Sequence, residues 1–187
     1  MAKQGQSTDI GLDRLTSAVT QAGASGKGLP PVHLWNPPFC GDIDMRIASD
    51  GSWYYMGTPI GRPALVRLFS TILKREGDRY VLVTPVEKLR IQVEDLPFRA
   101  VAVQAAGDAL TFTTDVGDTV AAGAEHPIMV ETDSATGEPA PRVRVRADLW
   151  ARIARPVFYD LVERAEALDG QLWVRSDGEA FSLGELE

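Results

Sequence analysis

Cysteine and histidine are nearly missing from this 187-residue chain: Cys40 stands alone, and His33 and His126 are the only histidines. A single cysteine excludes an internal disulfide and fits a reducing, cytoplasmic compartment. Beside Phe39 it reads as a small buried hydrophobe rather than a reactive thiol. Two distant histidines without H-x-x-x-H or C-x-x-C spacing give no signal for zinc. No apolar run approaches the ~20 residues that cross a bilayer, and the start Met1-Ala2-Lys3-Gln4-Gly5-Gln6 is too polar for a secretion signal, so no membrane association is expected. A basic excess is lacking too. Nineteen Lys and Arg against 26 Asp and Glu leave a net charge of −7, which excludes the broad positive field of a general nucleic-acid binder.

What is present describes an ordinary globular protein, 44% hydrophobic and 24% charged. Thr8 to Ala22 read as a helix capped by Ser7 or Thr8, with Leu12, Leu15, Val19 and Ala22 on one face. Gly23 to Pro31 form a linker, and a first segment of 1–32 therefore precedes the main body. A hairpin follows, in which Ile43, Met45 and Ile47 alternate, Asp50-Gly51 turns, and Trp53-Tyr54-Tyr55-Met56 returns. Arg62-Pro63 opens a helix striped by Leu65, Leu68, Phe69 and Ile72, and strands are expected at Tyr80 to Val83 and Leu89 to Val93. Beyond Pro97, short strands are expected at Arg99 to Gln104, Leu110 to Thr114, Ile128 to Thr132 and Arg142 to Arg146. Pro156 to Ala167 read as a helix turning Phe158, Leu161, Val162 and Ala165 inward, and a final hairpin turns at Asp177-Gly178.

Shifting the chain by 93 positions aligns Ile60 with Ile153, Arg62 with Arg155, Pro63 with Pro156, Leu68 with Leu161, Gly77 with Gly170 and Val81 with Val174. The pattern predicts an α+β protein of two repeated small domains, 33–97 and 98–187, each a mainly antiparallel sheet with one helix. Charge divides unevenly between the halves. Residues 1–97 carry 11 basic and 10 acidic side chains, residues 98–187 carry 8 and 16, so the acidic excess sits in the second half.

Several motifs fail on mechanism. Gly23-Ala24-Ser25-Gly26-Lys27-Gly28 lacks the glycine spacing, the Ser or Thr and the preceding strand of a P-loop. Val116 to Gly123 looks like the turn of biotinyl and lipoyl carriers, but Lys3, Lys27, Lys74 and Lys88 all lie in the first half, which leaves no lysine to modify. Nothing combines a nucleophile with a base, so no enzymatic activity and no cofactor are expected. Polar residues inside apolar elements are better candidates: Asp44 and Arg46 within Ile43-Met45-Ile47, Glu87-Lys88 after Thr84-Pro85-Val86, and Arg62 and Arg155 before their helices. An arginine at a helix N-terminus opposes the helix dipole, so each calls for a carboxylate or an anionic ligand. An internal brace of Arg62 with Asp44 or Glu87 is the plainer expectation. Trp53 and Tyr55 share a strand face opposite Tyr54, offering a core anchor or a stacking platform.

The run from Cys40-Gly41-Asp42-Ile43-Asp44-Met45-Arg46-Ile47 through Asp50-Gly51-Ser52-Trp53-Tyr54-Tyr55-Met56-Gly57-Thr58-Pro59-Ile60-Gly61-Arg62 resembles a proteobacterial domain-of-unknown-function family. So do Tyr80-Val81-Leu82-Val83-Thr84-Pro85-Val86-Glu87-Lys88 and Val93-Glu94-Asp95-Leu96-Pro97-Phe98. The resemblance covers most of the chain from Trp35 onward. It implies duplicated α+β domains with the second pleckstrin-homology-like, a ligand site at the domain interface for a nucleotide-like molecule, and a part in signal transduction. Asp44, Arg46, Trp53, Tyr55, Arg62, Glu87, Lys88, Arg155 and Tyr159 are the positions expected to face that site.

The function expected is a cytoplasmic sensor or adaptor for a small anionic or nucleotide-like ligand, with a signalling protein as partner. Arg62, Arg155 and Lys88 would pair with the anion and Trp53 or Tyr55 would stack. The alternatives are a protein-interaction module without a small ligand and, ranked last, a metal-dependent hydrolase using Asp42, Asp44 and Glu87.

Overall fold

The computed structural model describes residues 6–24 and 28–186, with side chains from residue 11 onward except Ala24. Ser7 and Thr8 stand inside the first helix, which already includes Gln6, so neither is its cap, and the linker residues Ser25, Gly26 and Lys27 lie outside what is described. The chain divides into two compact units, Met1–Glu94 and Asp95–Glu187.

In the first unit, helix α1 (Gln6–Val19) ends in a π-turn at Thr20–Ala24, where Gly23 takes a positive φ. Its buried side chains are Leu15 and Val19, one helical turn apart. Gly11 meets the hydroxyl of Tyr55, where any Cβ would collide. Strands β1 (Phe39–Ile47), β2 (Trp53–Tyr55) and β3 (Thr58–Pro59) form one meander. Helix α2 (Pro63–Ser70), with Pro63 in its first turn, leads to a second: β4 (Leu73–Glu76), β5 (Arg79–Val83) and β6 (Lys88–Val93). The meanders join through β1 and β6, which run parallel, giving the order β3-β2-β1-β6-β5-β4. Met45, Ile47, Trp53, Tyr55, Leu65, Phe69, Val81, Val83 and Ile91 fill the core. Strand β4 was not expected, because Lys74-Arg75-Glu76 reads as a charged surface run. At a sheet edge, pairing on one side suffices to hold it.

The second unit builds a six-stranded sheet by the same rule. Strands β7 (Phe98–Ala106), β8 (Ala109–Thr114) and β9 (Thr119–Ala121) make one meander, and β10 (Ile128–Thr132), β11 (Pro139–Arg146) and β12 (Leu149–Ile153) the other. Here β7 and β12 form the central parallel pair, so the order β9-β8-β7-β12-β11-β10 repeats that of the first unit. Helix α3 (Arg155–Arg164) and a three-stranded sheet follow: β13 (Glu166–Leu168), β14 (Gln171–Ser176) and β15 (Glu179–Glu185). Two left-handed dipeptides, Asp169-Gly170 and Asp177-Gly178, supply the tight turns of that sheet.

The architecture is α+β with two repeated domains, and two repeats overlap in it. The 93-residue shift places a helix and three following strands, α2-β4-β5-β6, over α3-β13-β14-β15. The six-stranded sheets repeat instead through β1 and β7.

Three local expectations need correction. The helix expected to reach Ala167 stops at Arg164, because Ala165 is extended and Glu166–Leu168 pairs with β14. Its inward pair is Val157 and Leu161, while Phe158 is half-buried. Cys40 is exposed, at the beginning of β1 where the sheet's core has not yet started.

Candidate functional site

In the first unit most of the expected ligand contacts are engaged internally. Arg46 donates to Glu94 at 2.5 Å and stacks 4.3 Å from the ring centre of Tyr54. Glu94 also accepts the Ser49 N–H, and that bond, with Arg46, holds its carboxyl below the usual range. Asp44 is exposed on β1, whereas Trp53 and Tyr55 lie in the core, 2% and 9% exposed. The indole Nε1 of Trp53 has no acceptor among the described residues. Alternation thus presents Tyr54, not its two neighbours, to the outer face.

Lys88 is 6% exposed. Its Nζ donates to Glu76 at 2.8 Å and to Asn36 at 3.2 Å, and Lys74 reaches the same Glu76 oxygen at 3.4 Å. The hydrogen bond from Lys88 lowers the Glu76 carboxyl, against the opposing effect of burial. A buried ammonium with two acceptors is a structural tie. Glu87 pairs with Arg14 of α1 at 3.4 Å, and Asp42 with Arg90 at 2.6 Å. Arg62 makes no ion pair among the described residues, so the expected brace to Asp44 or Glu87 is absent there. Nor do Asp42, Asp44 and Glu87 gather as metal ligands: among the described residues no such cluster of three exists.

The second unit brings two expected residues, Arg155 and Tyr159, to one groove of about 370 Å³. It opens where β12 turns into α3, and Arg99, Arg152 and Phe158 line it with Glu138 and Pro141. Arg155 begins α3, so its guanidinium and the positive end of the helix face the same corner. Glu138 answers that charge at 3.2 Å in an exposed pair. Arg152 is committed more firmly. Its Nε and Nη2 grip both oxygens of Asp95 at 3.0 and 2.8 Å, and Nη1 reaches the Pro141 carbonyl at 3.3 Å. The Asp95 carboxylate raises the Arg152 guanidinium further above its ordinary value. Asp115 accepts the backbone N–H of Arg99 at 3.0 Å, and its carboxyl is pushed up, with burial the largest cause. The ring of Tyr159 is 57% exposed and that of Phe158 half-buried. The groove therefore combines a displaceable cation at a helix start with accessible aromatic surface.

Arg99, Arg152, Phe158 and Glu138 were missed as site residues. Arg152 carries the signal that singled out Arg46, a charge inside an apolar strand, but the strand Leu149–Ile153 was itself unrecognised.

Residues 30–96 match the N-terminal domain, and residues 97–183 the C-terminal domain, of a family described as of unknown function, DUF1285. The chain belongs to the DUF1285 family. Two solved DUF1285 structures are similar to it. One, from Silicibacter pomeroyi DSS-3, is 57% identical over 90% of this chain and 95% of that one, with a TM-score of 0.83. The other, from Shewanella baltica OS155, is 28% identical over 65% of this chain and 91% of that one, with a TM-score of 0.53. Among curated proteins none matches. The proteobacterial family resemblance read from the sequence is thus shown, and the DUF1285 boundary at 96/97 falls within two residues of the boundary between the compact units. Among the described residues no helix is long and apolar enough to cross a membrane.

Proposed function

We propose that this DUF1285 protein is a non-enzymatic cytoplasmic sensor or adaptor that binds a small anionic, nucleotide-like ligand in the groove of its second unit and passes that state to a signalling partner. The same reading takes the second domain as pleckstrin-homology-like. One observation carries the proposal: Arg155 at the start of α3 shares a groove with Phe158 and Tyr159. The anion would replace Glu138 on Arg155 and gain from the helix dipole, and a planar ring would lie against Tyr159. Arg152, held by Asp95 on two bonds, shapes the wall without exchanging partners. Trp53 and Tyr55 are packed as core and Lys88 is tied, so this reading rests on the second-unit residues of the expected set.

A thermal-shift and calorimetric titration with nucleoside monophosphates and diphosphates tests it. At least one should stabilise the wild-type chain, Arg155→Ala should weaken it roughly tenfold, and Arg62→Ala should leave it unchanged. No stabilisation by any of them, or equal weakening by both substitutions, would overturn the reading.

A further inference from the structure

The second half of the chain is acidic, with 8 basic and 16 acidic side chains, and all eight of its basic residues are arginines. Five of those eight stand on the sheet β11-β12-β7. Arg142 and Arg144 alternate along β11 with Pro141 and Val143, which are buried, and a register shift after Arg144 then sets Arg146 opposite Leu149 and over the Phe98 ring. Arg142 lies opposite Arg152 of β12, and Arg152 opposite Arg99 of β7, so three arginines form a row across three strands. Like charges directly opposite each other destabilise a sheet. An acidic domain that nevertheless concentrates its cations on one face has a charge pattern that stability alone does not call for.

The centre of the face is Trp150, opposite Arg144 in register and only 5% exposed. The guanidinium carbons of Arg142 and Arg144 sit 4.7 and 5.1 Å from its ring centre. This packing fixes both guanidinium planes, and the two Nε atoms are buried without an acceptor among the described residues. Arg142 reaches Glu131 at 2.7 Å and Arg146 reaches Asp118 at 2.6 Å, while Arg144 has no carboxylate among the described residues. Glu131 is 58% exposed at its side chain, so it is an easily exchanged partner. Met129, opposite Arg142 on β10, adds exposed apolar surface.

We infer that this arginine face docks an extended acidic segment of a partner protein, laid along β11 with a carboxylate at every second residue. Alternate side chains of an extended chain repeat at ~6.5–7 Å, the same period at which Arg142 and Arg144 stand on their own strand before the register shift. Planar guanidinium forks held by a tryptophan are matched to carboxylates, and three of the arginines already bind carboxylates of their own domain. A polyphosphate strand or an anionic bilayer extends past the face and meets the acidic surplus around it. A segment with three or four carboxylates ends where the arginines end. Arg99 and Arg152 line both this face and the ligand groove, so the residue that separates the two is Arg144, which the groove does not include.

The test is fluorescence anisotropy of the full chain with a labelled ten-residue peptide of alternating Glu and Ser. A peptide of the same composition, with its Glu residues in one block, serves as the comparison. The alternating peptide should bind more tightly and lose affinity as salt rises. Arg144→Gln should weaken it roughly tenfold without a change in thermal unfolding. Arg175→Gln on β14, which removes the same charge from the same unit, should leave it unchanged. Absence of binding would overturn the inference, as would equal weakening by the two variants. Tighter Arg144-dependent binding of a single-stranded oligonucleotide or of phosphatidylserine vesicles would assign the face to another class of partner.

Discussion

The two units solve one topological problem with different chemistry. Both bring the first strand of one meander beside the last strand of another, in parallel, at the centre of six strands. In the first unit a helix separates the meanders, and the polar tie in the interior is charged: Lys88 with Glu76 and Asn36. In the second unit the helix comes after the sheet, and the tie is neutral. Ser176, 1% exposed, donates to the Ala122 carbonyl at 2.7 Å and accepts the Leu110 N–H at 2.8 Å, fastening β14 to two other segments. A shared strand order does not dictate how buried polar groups are satisfied. One unit has made its stability sensitive to protons at this point, the other has not.

Breaking the charged tie should have the largest effect. Lys88→Met leaves Glu76 with only the longer Lys74 contact and should cost about 3 kcal/mol, measured by denaturant unfolding. Because the folded state lowers the Glu76 carboxyl, its contribution is present above the ordinary glutamate range and is lost as pH falls through the folded value. The gap between wild type and variant should therefore narrow in acid. Ser176→Ala should cost about 2 kcal/mol by orphaning a buried donor and acceptor, and that gap should stay constant over the same pH window. A pH-dependent loss there would break the contrast.

The smallest effect is expected at Asp115. Its carboxyl is raised in the folded state, so the contribution is greatest below the ordinary aspartate range and declines as pH rises through the folded value. Asp115→Asn should change stability by less than about 0.5 kcal/mol at neutral pH and flatten that decline, as thermal unfolding across a pH series would show.

Much of this was legible in the sequence, for identifiable reasons. Turn dipeptides and alternation located the β1–β2 hairpin and the hairpin at Asp177-Gly178, because glycine and aspartate at positive φ leave a local mark. The starts of α2 and α3 were marked by proline, but the end of α3 was not. Residues 165–168 carry no breaker, and pairing with β14 decides their conformation. Strand β12 was hidden because Leu149, Trp150, Ala151 and Ile153 are buried on both faces and do not alternate. With it went Arg152 and the groove wall. Residues single out their own chemistry, but the grouping of Arg99, Arg152 and Arg155 depends on a parallel pairing between strands about fifty residues apart.

That central parallel pair also sets a timetable. Strand β1 is complete at Ile47, yet its inner neighbour begins only at Lys88. At ribosomal speeds the intervening residues take roughly two to eight seconds to emerge. Throughout that interval one edge of the first meander has no strand to accept its backbone, and the second sheet imposes the same wait between β7 and β12. A nascent chain of this protein is therefore most open to misassembly during two defined stretches of its synthesis. Each closes only when the last strand of its sheet arrives.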